Sequence, residues 1–218
     1  LSGNQVTITT GVGSEVLSFS NATANDAHVA TAGKYIQAIT LSNGTAGVGT
    51  TAGLASDYQL PALNAANAPV ALTPKTVSLS ASKAYDGDTL LSGNQVTITT
   101  GVGSEVLGFS NATTNDAHVV TAGKYINAIT LVDGTAGAGT TAGLASDYQL
   151  PALNATHAPA TVTPKVLTVT LTNTGVNKTY DGTADSPAGF TPTYAITGYI
   201  ADDASATLSH SNAAFNDA

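Results

Sequence analysis

Two short motifs place acidic and basic side chains at spacings where they could do chemistry. Lys83-Ala84-Tyr85-Asp86-Gly87-Asp88 returns as Lys178-Thr179-Tyr180-Asp181-Gly182-Thr183. Asp86 and Asp88, with carbonyls between them, are the oxygen donors a hard cation such as Ca2+ takes. The second copy carries Thr183 in place of Asp88, and no D-x-[DN]-x-[DN]-G loop occurs anywhere. The motif therefore reads as a tight turn, and no metal or cofactor is expected. Asp86 and Asp181 would cap their own backbone, and Gly87 and Gly182 would supply φ > 0. Tyr85 and Tyr180 would pack their rings and leave the hydroxyls in water. The second motif, Asp26-Ala27-His28, returns as Asp116-Ala117-His118. An acid and a base catalyse only when they converge with a nucleophile in a pocket. No G-x-S-x-G, H-E-x-x-H or phosphate loop accompanies them, and GTAGVGTTAG (44–53) lacks the lysine of a P-loop. A surface turn is expected there, and no enzyme.

Lys34 and Lys124 raise a third chemistry, a lysine–asparagine isopeptide cross-link, which requires a carboxylate beside the pair. The simpler expectation is a solvated lysine where a strand begins. Asn-x-Ser/Thr triplets at Asn21, Asn43, Asn111, Asn154 and Asn177 are near chance in a chain so rich in Asn and Thr, and carry glycan only in a host with the transferase.

The elements that hold these residues come in copies. Leu1–Lys75 and Leu91–Lys165 are identical at 63 of 75 positions. A diverged third copy begins near Lys165, where KTYDGT (178–183) answers KAYDGD (83–88) and FNDA (215–218) answers TNDA (114–117). Copying a catalytic site yields only a second site, whereas copying a folded unit yields length. QVTITT (5–10), EVLSFS (15–20), KYIQAITL (34–41), SDYQL (56–60) and TVSLSAS (76–82) are short period-two runs bounded by Gly, Asn, Asp or Pro, and read as strands. The register places Val96 and Ile98 on the inner face and Thr97 outside. No sustained helical period exists, and Asn43–Gly53 reads as an exposed loop.

The expected fold is all-β: tandem immunoglobulin-like β-sandwich repeats of about 90 residues in an elongated array. APVALTPK (68–75) and APATVTPK (158–165) each hold two prolines before a fresh strand, and set the boundaries. Repeat 1 is 1–74, without its first strand; repeat 2 is 75–164, complete; repeat 3 is 165–218, without its C-terminal half. Proline at the joints favours a stiff connection. An acceptor edge at Gln5–Thr10 and Lys34–Leu41 is expected to be filled head to tail, within a longer array or by another copy in a fibre.

Composition narrows the partners. The 218 residues contain no Cys, so disulfides cannot staple the repeats. Six lysines, no arginine and fourteen acids leave a net charge of -8, a poor match for nucleic acid or anionic membrane. No apolar run approaches the ~18 residues that span a bilayer, so no membrane insertion of this segment is expected. Read as a start in mid-repeat, Leu1 leads to the expectation that any export signal would lie upstream, in a longer protein.

At Tyr85-Asp86-Gly87 and Tyr180-Asp181-Gly182 the chain resembles the YDG-type tandem repeats of large bacterial surface adhesins of the filamentous-haemagglutinin kind. Thr73-Pro74-Lys75, the K-x-YDG turn, Ala122-Gly123-Lys124 and Ser146-Asp147-Tyr148-Gln149-Leu150 follow that family's order. The last departs from the pattern by placing Asp directly before Tyr. The resemblance spans essentially the whole chain. It implies a β-sandwich stalk repeat exported to the outer surface of a Gram-negative bacterium, where it serves attachment or biofilm cohesion. Its partners would be neighbouring repeats, other copies in a fibre and a host or matrix glycan or protein. The alternative is a repeated carbohydrate- or protein-binding module acting by avidity. With no Trp, four Phe and eight Tyr, most of them in strands or in YDG, the chain offers few stacking platforms for sugars, which favours the spacer.

Overall fold

The structure, a computed structural model, describes residues 1–173, 175–200 and 214. Phe215–Ala218, read above as a repeat signature, lies outside the described residues. The described chain is all-β, built from small sheets of two or three strands. Helix among the described residues is limited to single 3-10 turns at Ala55–Asp57, Gly93–Gln95 and Ala145–Asp147.

In the first copy lie β1 (Glu15–Ala24), β2 (Ile36–Asn43) and β3 (Thr51–Ala52). In the second lie β4 (Lys75–Thr76), β5 (Ser78–Ala84), β6 (Val96–Thr99), β7 (Glu105–Val106), β8 (Gly108–Thr114), β9 (Ile126–Val132), β10 (Thr141–Ala142), β11 (Tyr148–Gln149) and β12 (Ala160–Thr163). The remainder contributes β13 (Thr168–Leu171) and β14 (Tyr194–Thr197).

The chain divides into two compact units that do not follow the repeat boundaries. The first comprises Leu1–Ser78, Ile98–Phe109 and Leu131–Pro151. Within it β1 and β2 pair antiparallel from Leu17↔Asn43 to Ala24↔Ile36, with a register shift between Ser20 and Thr23. Asn21 sits in that irregularity at φ 55, the left-handed region that Asn tolerates better than most residues. β3 lies parallel to the start of β1, and β10 repeats this against β7. The closeness of the loop is set by Gly44, where a Cβ would fall 1.8 Å from the Val16 carbonyl oxygen; a Cβ at Gly134 would fall at the same distance from Val106 O. β4 pairs parallel with β11, Lys75 opposite Tyr148.

The second unit comprises Leu79–Thr97, Ser110–Thr130 and Ala152–Ala218. Here β5 runs between β12 and β6, parallel to β12 from Ala81↔Ala160 to Ala84↔Thr163. Its side chains alternate strictly: Leu79, Ala81 and Lys83 are buried, while Ser80, Ser82 and Ala84 are exposed. Leu79 and Ala81 join Leu91, Val96, Ala112, Ile126, Ala158 and Val162 in the core. β13 pairs antiparallel with β14, Thr168↔Thr197 to Leu171↔Tyr194, and all four of its residues are exposed.

The register read for β6 agrees with burial: Val96 is buried, Ile98 half-buried, and Thr97 exposed. Two other expectations fail. Gln5–Thr10 is not a strand, although its sequence equals Gln95–Thr100. A strand needs a neighbour to hydrogen-bond; β6 has β5, and no described segment takes β5's place beside Gln5–Thr10. Ser56–Leu60 is likewise not a strand; it begins in the 3-10 turn at Ala55–Asp57 and continues as irregular extended chain.

Candidate functional site

The Tyr-Asp-Gly turn follows β5 directly, and its organiser is the lysine two residues before the tyrosine. Alternation along β5 points Lys83 inward, where it is 4% exposed. Its ammonium lies 2.6 Å from Asp86 Oδ1 and 2.9 Å from Asp88 Oδ1. It also donates to the carbonyls of Asp88 (3.2 Å) and Leu90 (2.8 Å). Burial disfavours the charged amine, but the two carboxylates outweigh it and raise the Lys83 pKa. Asp88 falls below the ordinary carboxylate value, chiefly through its bond to Lys83. Asp88 Oδ1 accepts from the Leu90 N–H at 2.8 Å, and Gly87 turns the chain at φ 92. The Tyr85 ring stacks on His118, centroids 6.0 Å apart.

The other copy repeats the design with one substitution. Lys178 Nζ lies 2.7 Å from Asp181 Oδ1 and 2.7 Å from Thr183 Oγ1, and reaches the carbonyls of Thr183 and Asp185. The Thr183 hydroxyl donates to Asp181 Oδ1 at 2.9 Å, so threonine stands in for the second carboxylate of the first copy. Gly182 has φ 78. Tyr180, expected to pack, is 83% exposed. The motif thus carries a lysine-anchored turn in both copies. Its carboxylates face an ammonium and backbone N–H groups, and the role of the lysine was signalled in the sequence only by its fixed place before the tyrosine.

Asp26-Ala27-His28 is a side-chain-capped turn: Asp26 Oδ1 accepts from the His28 N–H at 2.7 Å, and Asp116 does the same for His118. That hydrogen bond is the leading reason both aspartates fall below the ordinary value. A contact invisible in the sequence joins the first copy to the second within one compact unit. His28 Nδ1 lies 2.6 Å from Asp147 Oδ2, and the Val29 N–H donates to Asp147 Oδ1 at 2.6 Å. The hydrogen bond the His28 ring donates to Asp147, and then the charge of that carboxylate, raise the His28 pKa above 6.5. Partial burial pushes Asp147 up, but the His28 ring and the Val29 N–H hold it below the ordinary value.

Lys34 and Lys124 depart from the solvated lysines expected: each is 6% exposed. Lys34 Nζ donates to the carbonyls of Val29 (2.8 Å) and Thr31, and Lys124 Nζ to those of Val119 (2.9 Å) and Thr121 (2.5 Å). Each lysine thus reaches back along its stem to the loop preceding the strand and ties two of that loop's carbonyls to the strand's start.

The first copy also holds a groove of about 500 Å³, lined by Leu1, Val6, Ile8, Ile36, Val70 and Leu72 among others. The second-copy equivalents of these six, Leu91, Val96, Ile98, Ile126, Ala160 and Val162, are buried or half-buried. No family model, curated protein sequence or solved structure matches this chain.

Proposed function

We propose that this chain is a spacer, a run of tandem β-sandwich repeats from a secreted bacterial surface adhesin or fibre of the YDG type. Such repeats give reach for attachment or hold cells together in a biofilm. The observation that carries the reading is the joint between copies, where His28 and the Val29 N–H both engage Asp147. A stalk requires joints made by specific contacts, and one carboxylate accepting two hydrogen bonds fixes orientation better than a flexible tether. The parallel pairing of β5, near the start of the second repeat, with β12 at its end, and the inward alternation of β5, support a sandwich closed within that repeat. Of the eight tyrosines only Tyr180 is exposed, which leaves little aromatic surface for sugar stacking.

Small-angle scattering on a series of chains with added repeats tests the reading. The radius of gyration should grow nearly linearly with repeat number. Growth as a compact body, with roughly the one-third power of chain length, would remove the spacer. Saturable binding of the full chain on a glycan array would replace it with the avidity-based binding module.

A further inference from the structure

The Tyr-Asp-Gly turn is built twice, and its two tips meet different surroundings. Both glycines hold left-handed backbone, Gly87 at φ 92 and Gly182 at φ 78, so the turn itself calls for glycine in each copy. A Cβ on Gly182 would meet nothing within 4 Å. On Gly87 it would fall 2.6 Å from Cγ2 of Ile200, and 3.8 and 3.9 Å from the Cβ and Cγ1 of the same residue. Carbon atoms pack best at about 3.5–4.0 Å, so no side chain fits there without displacing Ile200. Gly87 is therefore glycine for a second reason that Gly182 does not share.

Ile200 belongs to the third repeat and Gly87 to the second, and both lie within one compact unit. Ile200 follows β14 and is half-buried. Gly198, at φ 97, sets its route: a Cβ there would stand 3.5 Å from the Val166 carbonyl oxygen and 3.6 Å from Leu167 Cδ2. On the other side the turn is held in place. Lys83 binds Asp86 and Asp88 from within the repeat. The Tyr85 ring stacks on His118, whose N–H donates to Asp116. The Tyr-Asp-Gly and Asp-Ala-His turns thus share one end of the second repeat. In the first repeat it is again the Asp-Ala-His turn that engages the following repeat, through His28 and Val29 on Asp147.

We propose that the end of the second repeat formed by these two turns is a docking surface for the third, with the bare backbone of Gly87 as the seat of the Ile200 side chain. The partner it fits is a branched aliphatic residue from the turn after the second strand of the next repeat. Lysine-bound carboxylates keep the seat in one shape, and the absent Cβ lets the methyl reach the main chain. The proposal deepens the spacer reading by naming what joins its repeats.

A disulfide reports the contact directly, because the chain has no cysteine of its own. The 3.8 Å from a Cβ on Gly87 to the Cβ of Ile200 matches the usual disulfide spacing. The full chain carrying Gly87→Cys and Ile200→Cys should lose both thiols in air, at a rate that dilution does not change. Gly182→Cys with Ile200→Cys should keep both. In folded variants, thiols that stay free in the first pair, or equal closure in the second, overturn the proposal. Where a cysteine at φ 92 keeps the variant from folding, the unsubstituted chain decides. A nuclear Overhauser contact between Gly87 Hα and the Ile200 γ2 methyl is expected there, and its absence overturns the docking. The spacer reading fails separately, on compact growth of the radius of gyration with repeat number.

Discussion

At Lys83 a full positive charge lies 4% exposed, and its three N–H donors meet two carboxylates and two carbonyls. Lys83→Met keeps the length of the side chain but leaves the carbonyls of Asp88 and Leu90 without a donor. The expected loss is about 1–3 kcal/mol, the cost of stranded buried polar groups, read as a lower urea midpoint at constant slope. Lys178→Met should cost less, because Lys178 is more exposed. Since the carboxylates of the turn already face ammonium and N–H groups, adding a chelator should leave Tm unchanged; a fall of several degrees would restore the calcium reading. Tyr148 gives a separate readout. Burial, and then the hydrogen bond its hydroxyl donates to Glu105 at 2.5 Å, push its pKa up to about 12. A raised folded pKa adds stability that is complete below the unfolded value of 10.0 and is lost as pH rises towards about 12. Tyr148→Phe should abolish that alkaline phase in a pH series of melts.

Among the elements, the loop-to-strand contacts are closer than any side chain permits. A Cβ at Gly134 would lie 1.8 Å from Val106 O, so Gly134→Ala forces β7 and its loop apart. About 1–3 kcal/mol of destabilisation is expected, in line with overpacking at a site that cannot relax. Gly3→Ala, with open space around it, serves as the control and should be near neutral. β6 and Gln5–Thr10 form the natural comparison of one sequence in two surroundings. Hydrogen exchange should protect the amides of Val96–Thr99 and leave those of Val6–Thr9 fast. Equal protection would mean that a neighbour strand covers the first copy in solution.

Over the molecule as a whole, the joint between copies is where pH acts. His28 has its pKa raised by Asp147, so its contribution is complete below 6.5 and is lost as pH rises through the raised folded value. Asp147 has its pKa lowered, so its contribution is present above 3.8 and is lost as pH falls through the depressed folded value. The joint is therefore strongest in mildly acidic solution and weakens on both sides. An NMR titration should find His28 above the ordinary imidazole value, and Asp147→Asn should return it towards 6.5. If the substitution leaves the His28 titration where it was, the pair is not formed in solution.

Periodicity is a local property, and so strands at 15–20, 34–41 and 76–82 and the register at Val96 and Ile98 could be read from residues within a few positions of one another; the observed strands, Glu15–Ala24, Ile36–Asn43 and Ser78–Ala84, overlap them with shifted ends. Copy number was legible for the same reason, since identity is compared letter by letter. What local pattern could not supply was any decision between two copies of one sequence. QVTIT is a strand at Gln95–Thr99 only in the stretch Val96–Thr99, where β5 lies beside it, and is no strand at Gln5–Thr9. Hydrogen bonding in a sheet is completed by chain distant in sequence, so a segment's own propensity does not determine it. The burial of Lys34, Lys83 and Lys124 was hidden by the usual preference of lysine for solvent, which fails where backbone carbonyls converge on the amine. The pairing of His28 with Asp147 spans 119 residues; only the folded chain brings those two side chains together.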